Sequence, residues 1–227
     1  MAIKPILFNT EMVQAILDGR KTCTRRVVKT RRKDACGFYV TKRPDGSFTG
    51  IYEYDEDERM FENQLIPPYK PGDILYVRET WERFECWNCD GDERGNCQKE
   101  PKKSVLDKTF GCYMYRATDE ISGDAKWHPS IHMPKEAARI WLKVTNVRVK
   151  RLQEITEAEA ILEGAIDNRA FIHSPDNEYD HIHTAREHFI DIWNSTIKKS
   201  DLDKYGWLAN PFVWVIKFER WKKPGKE

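Results

Sequence analysis

The stretch Pro71-Gly72-Asp73-Ile74-Leu75-Tyr76-Val77-Arg78-Glu79-Thr80-Trp81 decides how the chain is read. Pro71-Gly72-Asp73 is a turn, because Pro presets one backbone angle and Gly supplies another that side chains resist. The residues after it alternate, with Leu75 and Val77 on one side and Tyr76 and Arg78 on the other. Ile74 to Thr80 is therefore predicted as a half-buried strand. Upstream, Ile3 to Phe8 reads as a short strand that Pro5 confines to an edge or a strand start. Asn9 or Thr10 caps a helix carrying Met12, Val13, Ile16 and Leu17 on one face, with Gly19 at its end. The polar segment 27–63 has weak strand character at Phe38 to Thr41 and Phe48 to Tyr54, around Pro44-Asp45-Gly46, and reads as a hairpin.

Downstream, residues 84–112 interrupt the pattern with a cysteine cluster and a lysine-rich loop. Arg139 to Val149 is the clearest long strand, its alternation shifting phase at Asn146 as a β-bulge would do. Thr156-Glu157-Ala158-Glu159 has the form of a capping box opening a helix that ends at Gly164. Residues 167–183 read as a loop, Thr184 to Ile197 as a helix burying Phe189, Ile192 and Trp193, and Phe212 to Glu219 as an apolar strand. Few short helices between widely separated strands predict an α+β fold on an antiparallel sheet or barrel. The expected organisation is a single domain over 1–227 with insertions at about 27–66, 84–126 and 167–183.

Formal charge is only +1 over 227 residues, so no global field drives nucleic-acid binding. The distribution is uneven: residues 1–43 hold eleven Lys and Arg against three acids, while 45–63 hold seven acids against Arg59. A basic face for an anionic partner is one reading of this, two solvated stretches the other. Met1 to Arg20 lacks the apolar run of a signal peptide, and no segment approaches the roughly 20 apolar residues of a membrane span. A soluble, cytoplasmic protein is expected.

The run Ile16 to Arg26 combines a helix end, Gly19, Lys21, Thr24, Arg25 and Arg26. It is either a solvated basic turn or the wall of a site. A threonine hydroxyl needs a base to become a nucleophile, and lysine serves as one where burial lowers its pKa. A carboxylate beside it would instead make the lysine an electrostatic stabiliser. Arg25 and Arg26 are suited to grip a phosphate or a base edge. Glu79 and Trp81, at the end of the 74–80 strand, either read and stack on a base or form an ion pair and a core contact. Cys86-x2-Cys89-x7-Cys97-x14-Cys112 supplies four thiolates that suit structural zinc, free thiols and redox pairs being the alternatives. Cys23 and Cys36 read as ordinary thiols, with Cys36 the alternative ligand to the cluster. His128-x3-His132 is broken by Pro129 and Pro134 and does not make a regular helical metal pair.

Six blocks resemble the ASCH-domain proteins, in the longer form common in phages and prophages. They are Lys4 to Phe8, Met12 to Arg26, Pro71 to Trp81, Trp127 to Pro134, Arg151 to Glu157 with Glu163-Gly164, and Asn210 to Val215. The resemblance implies a PUA-like β-barrel with RNA-associated roles. The family's signature Gly-x-Lys-x-x-Glu-x-Arg reads here as Gly19, Lys21, Thr24 and Arg26, with threonine in place of glutamate. The same replacement occurs in the small ASCH amidohydrolases that deacetylate N4-acetylcytidine. By that resemblance Lys21, Thr24 and Glu163 are the catalytic set and Arg26 helps hold the substrate; Gly19, Arg25, Glu79 and Trp81 are the further substrate-binding candidates. No cofactor is required for catalysis on this reading, and the partner is a modified nucleoside or RNA. The alternatives are a non-catalytic binding module for RNA or modified nucleic acid, and a phage-encoded interaction or assembly protein.

Overall fold

A computed structural model describes residues 1–46, 48–85, 102–103, 110–121, 126–168 and 184–225, without the side chains of 102, 103 and 110. The elements follow in order as β1 (Ile3–Leu7), α1 (Thr10–Leu17), β2 (Cys23–Val27), β3 (Gly37–Lys42), β4 (Phe48–Tyr54) and β5 (Met60–Gln64). Then come β6 (Ile74–Arg78), β7 (Trp81–Glu85), β8 (Lys102–Lys103), β9 (Phe110–Tyr115) and β10 (Trp141–Arg151). Helices α2 (Glu157–Leu162), α3 (Ala185–Thr196) and α4 (Leu202–Tyr205) precede β11 (Phe212–Trp221). The fold is α+β, with short helices and mixed sheets. None of the described helices is long and apolar enough to cross a membrane.

The chain divides into two compact units, each woven from separate segments. The first contains Met1–Asp18 and Ile74–Lys143. In it β6 pairs with β1 on one side and with the start of β10 on the other. The β1–β6 pairing is parallel, from Ile3 opposite Ile74 to Leu7 opposite Arg78, where an antiparallel sheet was expected. A parallel return needs a long connection, and the 66 positions between Leu7 and Ile74 supply one. Pro5 sits on β1 at the sheet edge, where its missing N–H leaves no ladder bond unmade.

β6 is not half-buried. Ile74, Leu75, Tyr76 and Val77 are all buried, because this strand is flanked on both sides and covered on both faces. Ile74 and Tyr76 join Tyr113, Tyr115, Met133 and Trp141 in one apolar cluster. At roughly 1.5–3 kcal/mol per fully buried aliphatic side chain, such a strand contributes far more than its ladder bonds. Residues 81–85 and 110–115 form an antiparallel pair that the cysteine-rich interruption concealed from pattern reading. In α1, the Asn9 side chain accepts from the Met12 N–H, and Met12, Val13, Ala15 and Ile16 are buried.

The second unit contains Gly19–Asp73 and Val144–Glu219. Here β11 pairs antiparallel with β2, from Val213 opposite Val27 to Lys217 opposite Cys23. The expected hairpin is present as β3 and β4, and β5 adds a third strand from the acid-rich run read as solvated surface. Thr184 caps α3 and exchanges bonds with Glu187, while Ala185, Phe189 and Trp193 are buried and Ile192 is half-buried. Phe189 and Trp193 pack with Leu152, Ile155, Val213 and Val215.

Candidate functional site

The end of α2 is held in one conformation by its own backbone. Gly164 N–H donates to Ile161 O at 2.9 Å and Ala165 N–H to Ala160 O at 3.1 Å, the paired bonds of a Schellman cap. Gly164 takes φ +96°, a left-handed angle that a Cβ would oppose at a cost of about 1–2 kcal/mol. Glu163 is the residue just before that turn, so its side chain leaves the helix in a set direction. Thr22 N–H donates to Leu162 O at 2.9 Å and seats the segment before β2 on the same helix end.

Lys21 and Glu163 therefore meet in the interior. Lys21 Nζ donates to the Glu163 carbonyl at 2.6 Å and to its Oε2 at 3.1 Å. Arg25 Nη1 donates to Glu163 Oε1 at 2.9 Å, and its Nη2 to Glu159 Oε2 at 2.7 Å. Glu159 Oε1 also accepts from Arg148 at 2.8 Å and from Lys150 at 3.0 Å. The result is a connected chain of four cations on two carboxylates. It runs from side chains 2% and 1% exposed at Lys21 and Arg25 to 35% at Arg148.

This geometry sets the protonation states. Burial pulls the Lys21 ammonium below its usual range, and Glu163 only partly offsets that. Burial alone would raise the Glu163 carboxyl, but Lys21 and Arg25 together outweigh it and hold the group below its ordinary 4.5. For Lys21 burial is the larger effect, and for Glu163 the two cations are. Cys23, in the same core, has its thiol pushed up to about 12, chiefly by burial and then by Glu163. It is a packing residue rather than a nucleophile.

Thr24 is buried but stands apart from this network. In β2 it lies opposite Ile216 and shares a face with Arg26 opposite Trp214. Cys23 and Arg25 take the other face, because successive strand residues alternate. Among the described residues the Thr24 hydroxyl makes none of the network's hydrogen bonds. Arg25, expected at the substrate, is instead spent on two glutamates and lies 5.8 Å over the Phe189 ring. Gly19 takes φ +78° just ahead of the site.

Glu159 was read as the return half of a capping box. Thr156 does accept from the Glu159 N–H, but the Glu159 carboxylate turns to three cations instead. Arg148 and Lys150 escaped the sequence reading; their signal was the i, i+2 spacing that puts both on one face of β10. Glu79 and Trp81 belong to the first unit. Both Glu79 oxygens accept from Arg139, each at 2.9 Å, so the carboxylate forms a bidentate ion pair. Trp81 lies 5.8 Å from Tyr113 and 5.2 Å from His128, ring centre to ring centre.

The basic 20–43 stretch is not one continuous face. Arg25 is buried, whereas Arg31 and Arg32 are exposed, with backbone N–H groups donating to the buried Glu53. Of the proposed zinc ligands, Cys86, Cys89 and Cys97 lie outside the described residues. Cys112 is buried on β9, opposite Phe84. Among the described residues no three His, Cys, Asp or Glu side chains form a metal cluster.

The depressed carboxyls predict an acid-sensitive fold. A carboxyl whose folded pKa is lowered contributes stability that is fully present above the unfolded value and lost as pH falls through the folded one. Glu159 and Glu163 both sit below 4.5, so that loss lies in the acid range beneath it. The thermal midpoint of the wild type is expected to fall more steeply below pH 4.5 than that of Glu159→Gln. Parallel curves would contradict this assignment.

The site thus defines an α+β protein with a buried, positively biased ion network at a helix end. No family model, curated protein or solved structure matches the chain.

Proposed function

We propose that this chain is a PUA-like ASCH protein that binds a modified nucleoside or RNA beside Lys21 and hydrolyses the N4-amide of acylated cytidine. The observation that carries the reading is the buried Lys21–Glu163 pair, with Thr24 buried three residues along the same segment. Because the Glu163 carboxylate sits against Lys21, the lysine serves as an electrostatic stabiliser and Glu163 as the proton acceptor. In the proposed step Thr24 Oγ attacks the acyl carbon while Glu163 accepts the hydroxyl proton and the Lys21 ammonium steadies the oxyanion. The C–N bond then breaks, and that proton goes to the departing N4 nitrogen, releasing cytidine. Water cleaves the threonyl ester, giving acetate and restoring Thr24. Arg26, on the same face of β2 as Thr24, would hold the substrate. A cytoplasmic, phage-type setting and zinc at Cys86, Cys89, Cys97 and Cys112 belong to the same proposal.

The test is release of cytidine and acetate from N4-acetylcytidine at high enzyme concentration. Wild type turns over, and Lys21→Ala and Thr24→Val each lose at least 100-fold in kcat/KM, in line with removal of an oxyanion stabiliser or a nucleophile. The separation of Thr24 from the hydrogen-bonded network favours a second reading, a non-catalytic binding module. Saturable nucleoside or RNA binding without turnover would establish that reading in place of the hydrolase.

A further inference from the structure

A concavity in the same unit, on residues apart from the Lys21–Glu163 network, has a lining of unusual chemistry. It encloses about 280 Å³ and is walled by Phe38, Tyr54, Tyr205 and Phe212 with Arg151 and Lys204 at its rim. That is near the lower end of the roughly 300–1,000 Å³ of small-molecule sites, room for one ring system and its substituent. Acids and bases are nearly equal in number across the chain, yet this lining holds no Asp or Glu. A neighbouring groove of about 500 Å³ shows the ordinary case, with Arg31 and Arg32 offset by Glu53 and Glu62.

The aromatic and cationic groups are also arranged. The Arg151 guanidinium lies 3.8 Å from the Phe212 ring centre, and its Nη1 donates to Asn210 O at 3.2 Å. Asn210 adopts φ +46°, and its side chain accepts from the Gln153 N–H at 2.9 Å, so the carbonyl that anchors Arg151 is itself fixed. Phe38 meets Phe212 edge-on at 5.9 Å. Lys204 and Lys29 stand 5.3 and 6.0 Å from the Tyr205 ring centre. Among the described residues none of these three cations has a carboxylate within ion-pairing distance. Gly37 keeps the wall open for Tyr54, since a Cβ there would fall 2.4 Å from the Tyr54 hydroxyl oxygen.

An exposed guanidinium plane held on a ring stacks a flat base, and unneutralised cations beside it hold a phosphate. We infer that this pocket binds a nucleoside phosphate, its base on the Arg151–Phe212 stack and its phosphate between Arg151 and Lys204. The ligand is either a free mononucleotide or one unit of a single strand.

Cytidine 5′-monophosphate and a 5′-phosphorylated trinucleotide serve as probes, titrated calorimetrically against the full chain. Cytidine, lacking the phosphate, is expected to bind at least tenfold more weakly than its monophosphate. Lys204→Glu and Arg151→Gln, both at exposed side chains, each weaken it tenfold or more with unchanged circular dichroism. Arg32→Glu, in the neighbouring groove, binds like wild type, which separates loss of this pocket from a general loss of positive charge. Cys36 lines the same pocket and is exposed, so bound nucleotide slows its alkylation, read on its own peptide by mass spectrometry. Tighter binding of the trinucleotide than of the mononucleotide identifies a strand as the ligand, and equal binding a free nucleotide. Absence of binding by wild type, binding unchanged in both rim variants, or unprotected Cys36 would overturn the inference.

Discussion

Glu163→Ala is expected to destabilise the protein by about 3–5 kcal/mol, the usual cost of removing one side of a buried ion pair. The magnitude follows from what is left behind. Lys21 and Arg25, with side chains 2% and 1% exposed, would face each other in the interior with Glu159 as the remaining nearby anion. Lys21→Met is expected to cost markedly less. It removes an ammonium that burial already disfavours, and Glu163 keeps its bond to Arg25. The ordering of the two variants in urea denaturation tests the assignment. Equal losses, or a loss under about 1 kcal/mol for Glu163→Ala, would mean that the network is not the closed interior structure described here.

Arg139→Ala is the second large effect, again about 3–5 kcal/mol, and the argument runs on asymmetry. Glu79 is 1% exposed and takes two bonds from one guanidinium, whereas the Arg139 side chain is 25% exposed. Deleting the arginine leaves a buried carboxylate without both of its charge-assisted bonds. Glu79→Gln leaves a cation that retains the Thr118 hydroxyl at 2.8 Å and the Tyr115 ring 4.0 Å from its carbon, and that can turn to water. The glutamine variant is therefore expected to lose less than half as much. Chemical denaturation of the two variants side by side measures this, and a larger loss in Glu79→Gln would refute it. If Glu79 served chiefly to read a base, its removal would affect binding more than stability.

What the sequence by itself determined is local. Asn9, Thr156 and Thr184 cap helices, because a short oxygen-bearing side chain satisfies N–H groups within three residues of it. Gly164 ends α2 because the turn needs a left-handed angle there. Period-two alternation located β6 and β11, and Pro5 marked an edge. The candidate pair was legible in part: Lys21 stood out by its setting, but Glu163 was reached only through family resemblance. Their 142-residue separation leaves no periodic trace.

The tertiary structure alone decided which surfaces are covered and which charges share a carboxylate. Burial of β6 depends on segments distant in sequence, Tyr113, Tyr115, Met133 and Trp141 packing on Ile74 and Tyr76, so alternation understated its burial. Glu159 had a local use as a capping residue, but three cations from β2 and β10 offered a stronger one. Arg25 looked like a ligand-binding arginine until Glu159 and Glu163 enclosed it. Caps and turns are settled by interactions a few residues long. Burial and charge pairing are settled by whatever the fold brings within a few ångströms, and no short stretch of chain encodes that distance.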